Sequence, residues 1–277
     1  MKKKTFLWTI ALILTIFIAI YQRLTGPTYS LLGKKELNGT IVEYNFSRSH
    51  SGNTNHKVIV ETNNPSLDGF LIFKRYKTDD DWTVLPMSND SGIFSSYLPG
   101  QPPAGKLEYY VLLKNENSSI ELPENKTVVI RFKGEVPIGI LIPHIIFMFL
   151  SMLLSNRTGL EFFSDGKNLS KLTIWTLSTL FVGGFILGPL VQQFAFGELW
   201  TGVPFGYDLT DNKTLIALIG WLIAAWAVYK SSRPGFWVIF AAVLMLIIFL
   251  IPHSVLGSEL DYNKLDQEKQ NQTEVVE

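Results

Sequence analysis

The period of polarity along the chain changes twice. Residues 6–21 form an apolar run behind Lys2, Lys3 and Lys4, closed by Gln22 and Arg23. Residues 39–133 alternate in short apolar and polar steps, and four further long apolar runs follow at 136–154, 172–194, 215–229 and 236–251. Runs of this kind can cross a hydrocarbon core of about 30 Å as helices rising about 1.5 Å per residue, the shorter ones with help from flanking side chains that reach the interface. The pattern predicts a membrane α-helical bundle of about five spans, with residues 136–253 holding four of them. The first run has the charge order of a signal sequence. Phe17-Ile-Ala-Ile-Tyr lacks small residues at the spacing that signal peptidase needs, so residues 1–24 are expected to stay as an uncleaved anchor.

Between the first and second runs, alternation with a period of two marks seven strand candidates, at 40–46, 57–62, 69–76, 82–85, 93–98, 107–113 and 127–132. Asn63-Asn-Pro, Ser88-Asn-Asp-Ser-Gly and Pro99-Gly-Gln-Pro-Pro-Ala-Gly separate them as turns. Seven short strands in one stretch predict an all-β immunoglobulin-like sandwich over residues 36–133, inserted after the first span. Tyr97-Leu-Pro-Gly-Gln-Pro-Pro-Ala-Gly-Lys-Leu-Glu-Tyr-Tyr-Val resembles the fibronectin type III and related modules, in which a Pro/Gly turn leads into a strand with paired tyrosines. The resemblance implies a binding or spacer module and no chemistry.

Composition sharpens the class. A 47% hydrophobic share against 17% charge suits a chain that lies partly in lipid. Lysine plus arginine and aspartate plus glutamate number 24 each, so no basic field points to nucleic acid. There is no cysteine, which removes disulfides, thiolate nucleophiles and thiolate metal sites together. In a five-span count Lys2, Lys3, Lys4, Arg157, Lys167, Lys171, Lys230 and Arg233 gather on one side, while Glu198, Asp208 and Asp211 lie with Lys213 on the other. The excess of basic residues marks the cytoplasmic side. The expected protein is a multi-pass component of the bacterial inner (cytoplasmic) membrane, with its N-terminus inside and the sandwich and the polar tail 254–277 outside. The tail has a composition that seldom folds alone.

The stretch 188–214, GPLVQQFAFGELWTGVPFGYDLTDNKT, cannot simply continue either flanking helix, because glycine and proline interrupt it. Two Pro-His steps, Pro143-His144 and Pro252-His253, bring imidazoles to the same end of the bundle, and ionisable groups at membrane depth are costly enough to be functional candidates. His144, His253, Glu198, Asp208 and Asp211 form a candidate set for a transition metal, imidazole and carboxylate being suitable donors. Haem between the two histidines requires kinks that remove a depth difference of roughly 10 Å. A purely structural reading stands beside this one: Thr210 or Asp211 caps the fourth span, His144 bonds to a neighbouring helix and His253 is interfacial. Gly183, Gly184 and Gly188 are read as a helix-packing surface. His50 and His56 are expected to be solvated in a flexible loop, and Asp79-Asp80-Asp81 to be a hairpin tip.

No His-Glu-x-x-His, Gly-x-Ser-x-Gly or Walker sequence occurs. LGPLVQQFAFGELWTGVPFGYDLTDNKT and IPHSVLGSELDY resemble a group of uncharacterised bacterial multi-span membrane proteins that carry an exported β-domain. The resemblance implies a location and brings no activity. Two functions are carried forward. One is a non-enzymatic envelope protein, without a cofactor, whose sandwich binds a protein partner while the helices lie in the lipid bilayer. The alternative is a membrane metal- or haem-binding redox protein with an outward-facing site at His144 and His253.

Overall fold

The computed structural model describes residues 2–252, 255, 257 and 259–274. Its contacts divide the chain into two units, one formed by Met1–Pro27 with Val136–Ser258 and the other by Thr28–Glu135 with Glu259–Glu277. His253 lies outside the described residues.

The first unit is helical. α1 (Lys2–Thr25) runs to 24 residues, longer than the apolar run alone, and ends at Gly26-Pro27, where proline cannot continue a helix. α2 (Ile138–Leu160) carries Pro143 inside it and is followed by a short 3-10 turn, Glu161–Phe163. α3 (Leu169–Phe181), a π-helical turn at Val182–Leu187 and α4 (Gly188–Phe196) form one continuous helical stretch. α5 (Leu209–Lys230) and α6 (Pro234–Leu250) complete the unit. Among the described residues, four stretches are long and apolar enough to cross a membrane: Lys3–Thr25, Ile138–Phe163, Leu169–Phe196 and Leu209–Lys230. α6 is apolar throughout but has 17 residues.

Close helix approach depends on small residues. A Cβ at Gly159 would stand 2.6 Å from Ala242 Cβ, and one at Gly220 would stand 2.9 Å from Leu244 Cδ2, so α6 lies tight against both α2 and α5. Trp221 fills the resulting core and donates its indole N–H to Met245 Sδ at 3.1 Å. It is a fully buried core residue.

One end of this unit buries charge. Arg157 and Glu161 pair at 2.7 Å with side chains 1% and 0% exposed. Trp8 of α1 covers the guanidinium with its ring centroid 5.5 Å away. Asn156 donates to Thr15 at 3.0 Å, and the hydroxyls of Thr158 and Thr176 meet at 3.0 Å. Polar bonds of this kind tie α1, α2 and α3 together where apolar contact has no water to escape from.

The second unit is a β-sandwich. One sheet has the order β1-β2-β4-β8-β7, from β1 (Leu31–Leu37), β2 (Thr40–Phe46), β4 (His56–Thr62), β7 (Ser88–Asp90) and β8 (Ile93–Leu98). The other runs β3-β11-β9-β5-β6, from β3 (Ser49–Ser51), β5 (Asp68–Arg75), β6 (Thr83–Pro86), β9 (Lys106–Lys114) and β11 (Val128–Lys133), with β10 (Ser119–Leu122) beside β9. The inward positions of both, among them Val42, Phe46, Val60, Leu71, Tyr109 and Ile130, make a single core. Each of the seven predicted strands is present; β1, β3, β7 and β10 are additional.

The acidic tail also folds: α7 (Tyr262–Glu274) belongs to this unit. Tyr262 donates its hydroxyl to Gln101 Oε1 and to the Lys106 carbonyl, both at 3.0 Å. Arg75 binds Asp80 and Asp266 together, and its guanidinium lies 5.0 Å from the Tyr262 ring centroid. Glu259 pairs with Lys77 and Lys106 at 2.7 and 2.6 Å.

Replacing Glu161 by Ala strands the Arg157 charge in a dry interior, where an unpaired buried ion costs about 3–5 kcal/mol. The expected outcome is a lowered unfolding temperature of the detergent-solubilised protein, with Glu161→Gln falling less far because the amide still accepts a hydrogen bond. A Glu161→Ala protein that melts like the parent overturns this account of the pair.

Candidate functional site

The predicted site residues lie at the end of the helical unit where α4 gives way to α5. α4 stops at Gly197, whose φ of 87° is the left-handed conformation that glycine adopts without strain. Residues 198–207 then fold back under control of the first turn of α5. Asp208 is the N-cap: its Oδ1 accepts from Thr210 N at 2.7 Å and from Asp211 N at 3.4 Å. Asp211 does not cap. Its buried Oδ2 accepts from Thr201 N at 2.7 Å, Gly202 N at 3.1 Å and Thr201 Oγ1 at 3.3 Å. Asn212 Oδ1 accepts from Val203 N at 2.7 Å.

Gly202 is required by this approach, since a Cβ there would lie 2.7 Å from Asp211 Cβ. Gln192 reaches from α4 to Thr201 Oγ1 at 2.6 Å, and Trp200 stacks on Phe185 with centroids 5.5 Å apart. Lys213, also buried, donates to the Ile251 carbonyl at 2.8 Å just past the end of α6. Gln22 of α1 donates to the nearby Phe249 carbonyl. A cation at a helix C-terminus satisfies carbonyls that have no intrahelical donor.

His144 Nδ1 lies 2.9 Å from the Gly183 carbonyl oxygen. A carbonyl only accepts, so Nδ1 carries the proton and Nε2 is the nitrogen left for any ligand. The same carbonyl takes the N–H of Gly188 across the π-helical turn. The glycines face different neighbours: a Cβ at Gly183 would meet Met148 Sδ at 2.9 Å on α2, and one at Gly184 would meet Thr214 Cγ2 at 2.7 Å on α5. Glu198 is exposed. Asp208 and Asp211 therefore serve the loop and the helix cap, and among the described residues no group of three or more histidines or acids is arranged to hold a metal ion.

In the β unit His50 and His56 are less solvated than expected. They stand on β3 and β4 with their Nδ1 atoms 3.3 Å apart, and His50 packs edge-on to Phe132. One ring must donate and the other accept. Burial, with the neighbouring His50, holds His56 down to about 4. Asp80 at the β5–β6 turn is held below its ordinary value by the Arg75 guanidinium.

The outer face of the β1-β2-β4-β8 sheet is open, with Leu32, Ile41, Ile59 and Tyr97 exposed. It forms a hollow of about 770 Å³ lined by Leu32, Lys34, Glu43, Lys57, Ile59 and Glu61 among others. Lys34 pairs with Glu43 at 2.7 Å, while Glu43 faces Glu61 directly across the β2–β4 ladder. Like charges opposed in this way are destabilising. The hollow escaped the sequence reading because it needs β1, whose Lys34-Lys35-Glu36 disguises an edge strand. Comparison with known proteins brings no match, either to a protein-family model or to a curated protein.

Two outcomes follow. Asp211→Ala should speed amide hydrogen exchange at Thr201 and Gly202 by roughly ten- to a hundredfold, the equivalent of losing a buried acceptor worth about 1–3 kcal/mol; unchanged protection would mean that the carboxylate does not hold the loop. His56 should titrate near 4 by histidine-selective NMR, against an ordinary value of 6.5. Because the folded state disfavours the charged ring, stability is full above about pH 6.5 and declines as the pH falls towards 4. His56→Gln should flatten that decline.

Proposed function

We propose that this protein is a non-enzymatic integral membrane protein of the bacterial cell envelope, whose β unit recognises a protein partner outside the cytoplasm through the open face of its first sheet. The observation that carries the reading is the hollow beside Leu32 and Ile59, with Glu43 and Glu61 opposed at its floor. Apolar side chains flanking two opposed glutamates, of which Glu43 is paired with Lys34, suit a partner segment that brings one basic residue between apolar ones to meet Glu61. The strand orders β2-β4-β8 and β11-β9-β5-β6 support an immunoglobulin-like, fibronectin type III-like assignment for the module.

Chain connectivity supports a topology of five spans. The segment 28–135 and the tail from residue 259 belong to one unit, so an even number of crossings must separate residue 135 from residue 259. α2, the α3–α4 stretch and α5 supply three, which makes α6 the fourth. At about 25 Å by helix rise α6 is short for a span, but its terminal carbonyls meet Gln22 near the end of α1 and Lys213 near the start of α5. It thus ends level with its neighbours. Lys3, Lys4, Lys167, Lys171, Lys230 and Arg233 flank the opposite helix ends, which supports an orientation with that end in the cytoplasm and both the β unit and the tail outside.

A photo-crosslinking residue at Ile59 in the membrane-embedded protein tests the partner surface. The expected result is a discrete protein adduct that is lost with Glu61→Lys or Leu32→Asp and retained with His144→Ala. An adduct indifferent to Glu61→Lys, or none from Ile59, overturns the reading. Elemental analysis and a visible spectrum of the same preparation address the metal or haem alternative, which requires a signal abolished by His144→Ala.

A further inference from the structure

The loop between α4 and α5 presents a combination that neither partner binding by the β unit nor helix packing uses. Its backbone is braced and its side chains are bare. Leu199 is 52% exposed, Val203 51%, Phe205 82% and Tyr207 92%. Four large side chains exposed on one short loop forgo part of the stabilisation that burial would give them.

The bracing is of a particular kind. The amides of Thr201, Gly202 and Val203 are all taken by carboxylate or amide oxygens of Asp211 and Asn212. The amides of Phe205 and Gly206 donate to the Gly202 carbonyl at 2.8 and 2.9 Å, and Asp208 N donates to the Thr201 carbonyl at 3.0 Å. Trp200 Nε1 donates to the Val203 carbonyl at 3.2 Å, and Gln193 caps the Gly197 carbonyl at 3.0 Å. A loop in water has no need of this, because water satisfies an open backbone without cost. Irregular backbone that enters a low-dielectric medium does need it, since each unpaired group there costs several kcal/mol.

Position and charge agree. Tyr207 immediately precedes the N-cap of α5, and Leu199 lies three residues beyond the end of α4. Both are within a helical turn of stretches long and apolar enough to cross a membrane. Between Gly197 and Tyr207 the one charged residue is Glu198. Tyrosine and tryptophan, here Tyr207 and Trp200, are side chains that the membrane–water interface favours.

We infer that residues 199–207 form a rigid interfacial wedge: the loop folds back into the headgroup zone of the bilayer, seating Val203, Phe205 and Tyr207 against lipid while Asp211 and Asn212 hold its backbone closed. The occupant of this apolar surface is lipid. The wedge fixes the depth of the α4–α5 pair through side chains that cannot collapse onto the protein. It rests on the reading of α4 and α5 as membrane-crossing and adds a lipid-contact function to a segment that has no other exposed use.

The absence of cysteine makes the test direct. Phe205→Cys and Tyr207→Cys are each labelled with an environment-sensitive fluorophore in the full-length protein, reconstituted into nanodiscs of phosphatidylethanolamine and phosphatidylglycerol. Ile219→Cys, on the exposed side of α5, serves as the mid-span control and Lys114→Cys as the aqueous one. The expected result is blue-shifted emission at 205 and 207, strongly lost to lipids carrying a nitroxide near the headgroup and little affected by aqueous iodide. The mid-span label should instead respond to a nitroxide near the chain ends. Iodide quenching at 205 and 207 like that at 114, with the mid-span label still lipid-quenched, overturns the wedge and leaves the membrane reading intact; the loop then stands in water as a surface for a protein. A mid-span label that lipid nitroxides do not quench overturns the membrane reading itself.

Discussion

A backbone amide or carbonyl that leaves its helix inside hydrocarbon has no water to turn to, and this one constraint orders the helical unit. At three irregular points of the helical unit a polar side chain bonds to the backbone. His144 answers the Gly183 carbonyl at the π-helical turn, Gln22 and Lys213 answer the carbonyls where α6 ends, and Asp211 with Asn212 answers the amides of the loop. Asp208 and Asp211 are engaged in this way by the cap and the loop, and His144 through its Nδ1 alone.

Two surfaces remain, of different character. The open sheet of the β unit mixes Leu32 and Ile59 with Lys34, Lys57 and the opposed Glu43 and Glu61. The α4–α5 loop offers aromatic side chains on a backbone whose amides at Thr201, Gly202, Val203, Phe205 and Gly206 are bonded within the protein. Water suits the first surface and a lipid headgroup zone the second. The tail adds a third element, since Tyr262, Asp266 and Glu259 secure its polar helix to the strands that carry Arg75, Lys77 and Lys106. Burial pushes the Tyr262 hydroxyl up to about 12, as befits a group that donates from within a packed seam.

Legibility differed by element for physical reasons. Strands such as β4 and β9 declared themselves because one face is buried and the other is wet, which writes a period of two into the residues. β7 is Ser88-Asn89-Asp90, a turn composition, and is a strand only because β8 supplies its hydrogen bonds. β3 lies in the polar stretch around His50 and is held parallel to β11 at Arg131, Phe132 and Lys133. The histidine pair was hidden for the same reason, since six residues of separation say nothing about two Nδ1 atoms facing each other. The helix from Tyr262 was hidden because its stability is borrowed from strands far away in the chain.

By itself the sequence determined where the chain is apolar enough for lipid, where it alternates for a sheet and at which helix ends its lysines and arginines gather, because hydrophobic period and charge count are local properties of neighbouring residues. Only the tertiary structure decided which polar groups serve and which remain available. Asp211 is spent on Thr201 and Gly202, and Gln22 meets a carbonyl 227 residues away. Such pairings arise from packing between distant segments, and no local pattern encodes the partner of a hydrogen bond that closes only when the helices meet.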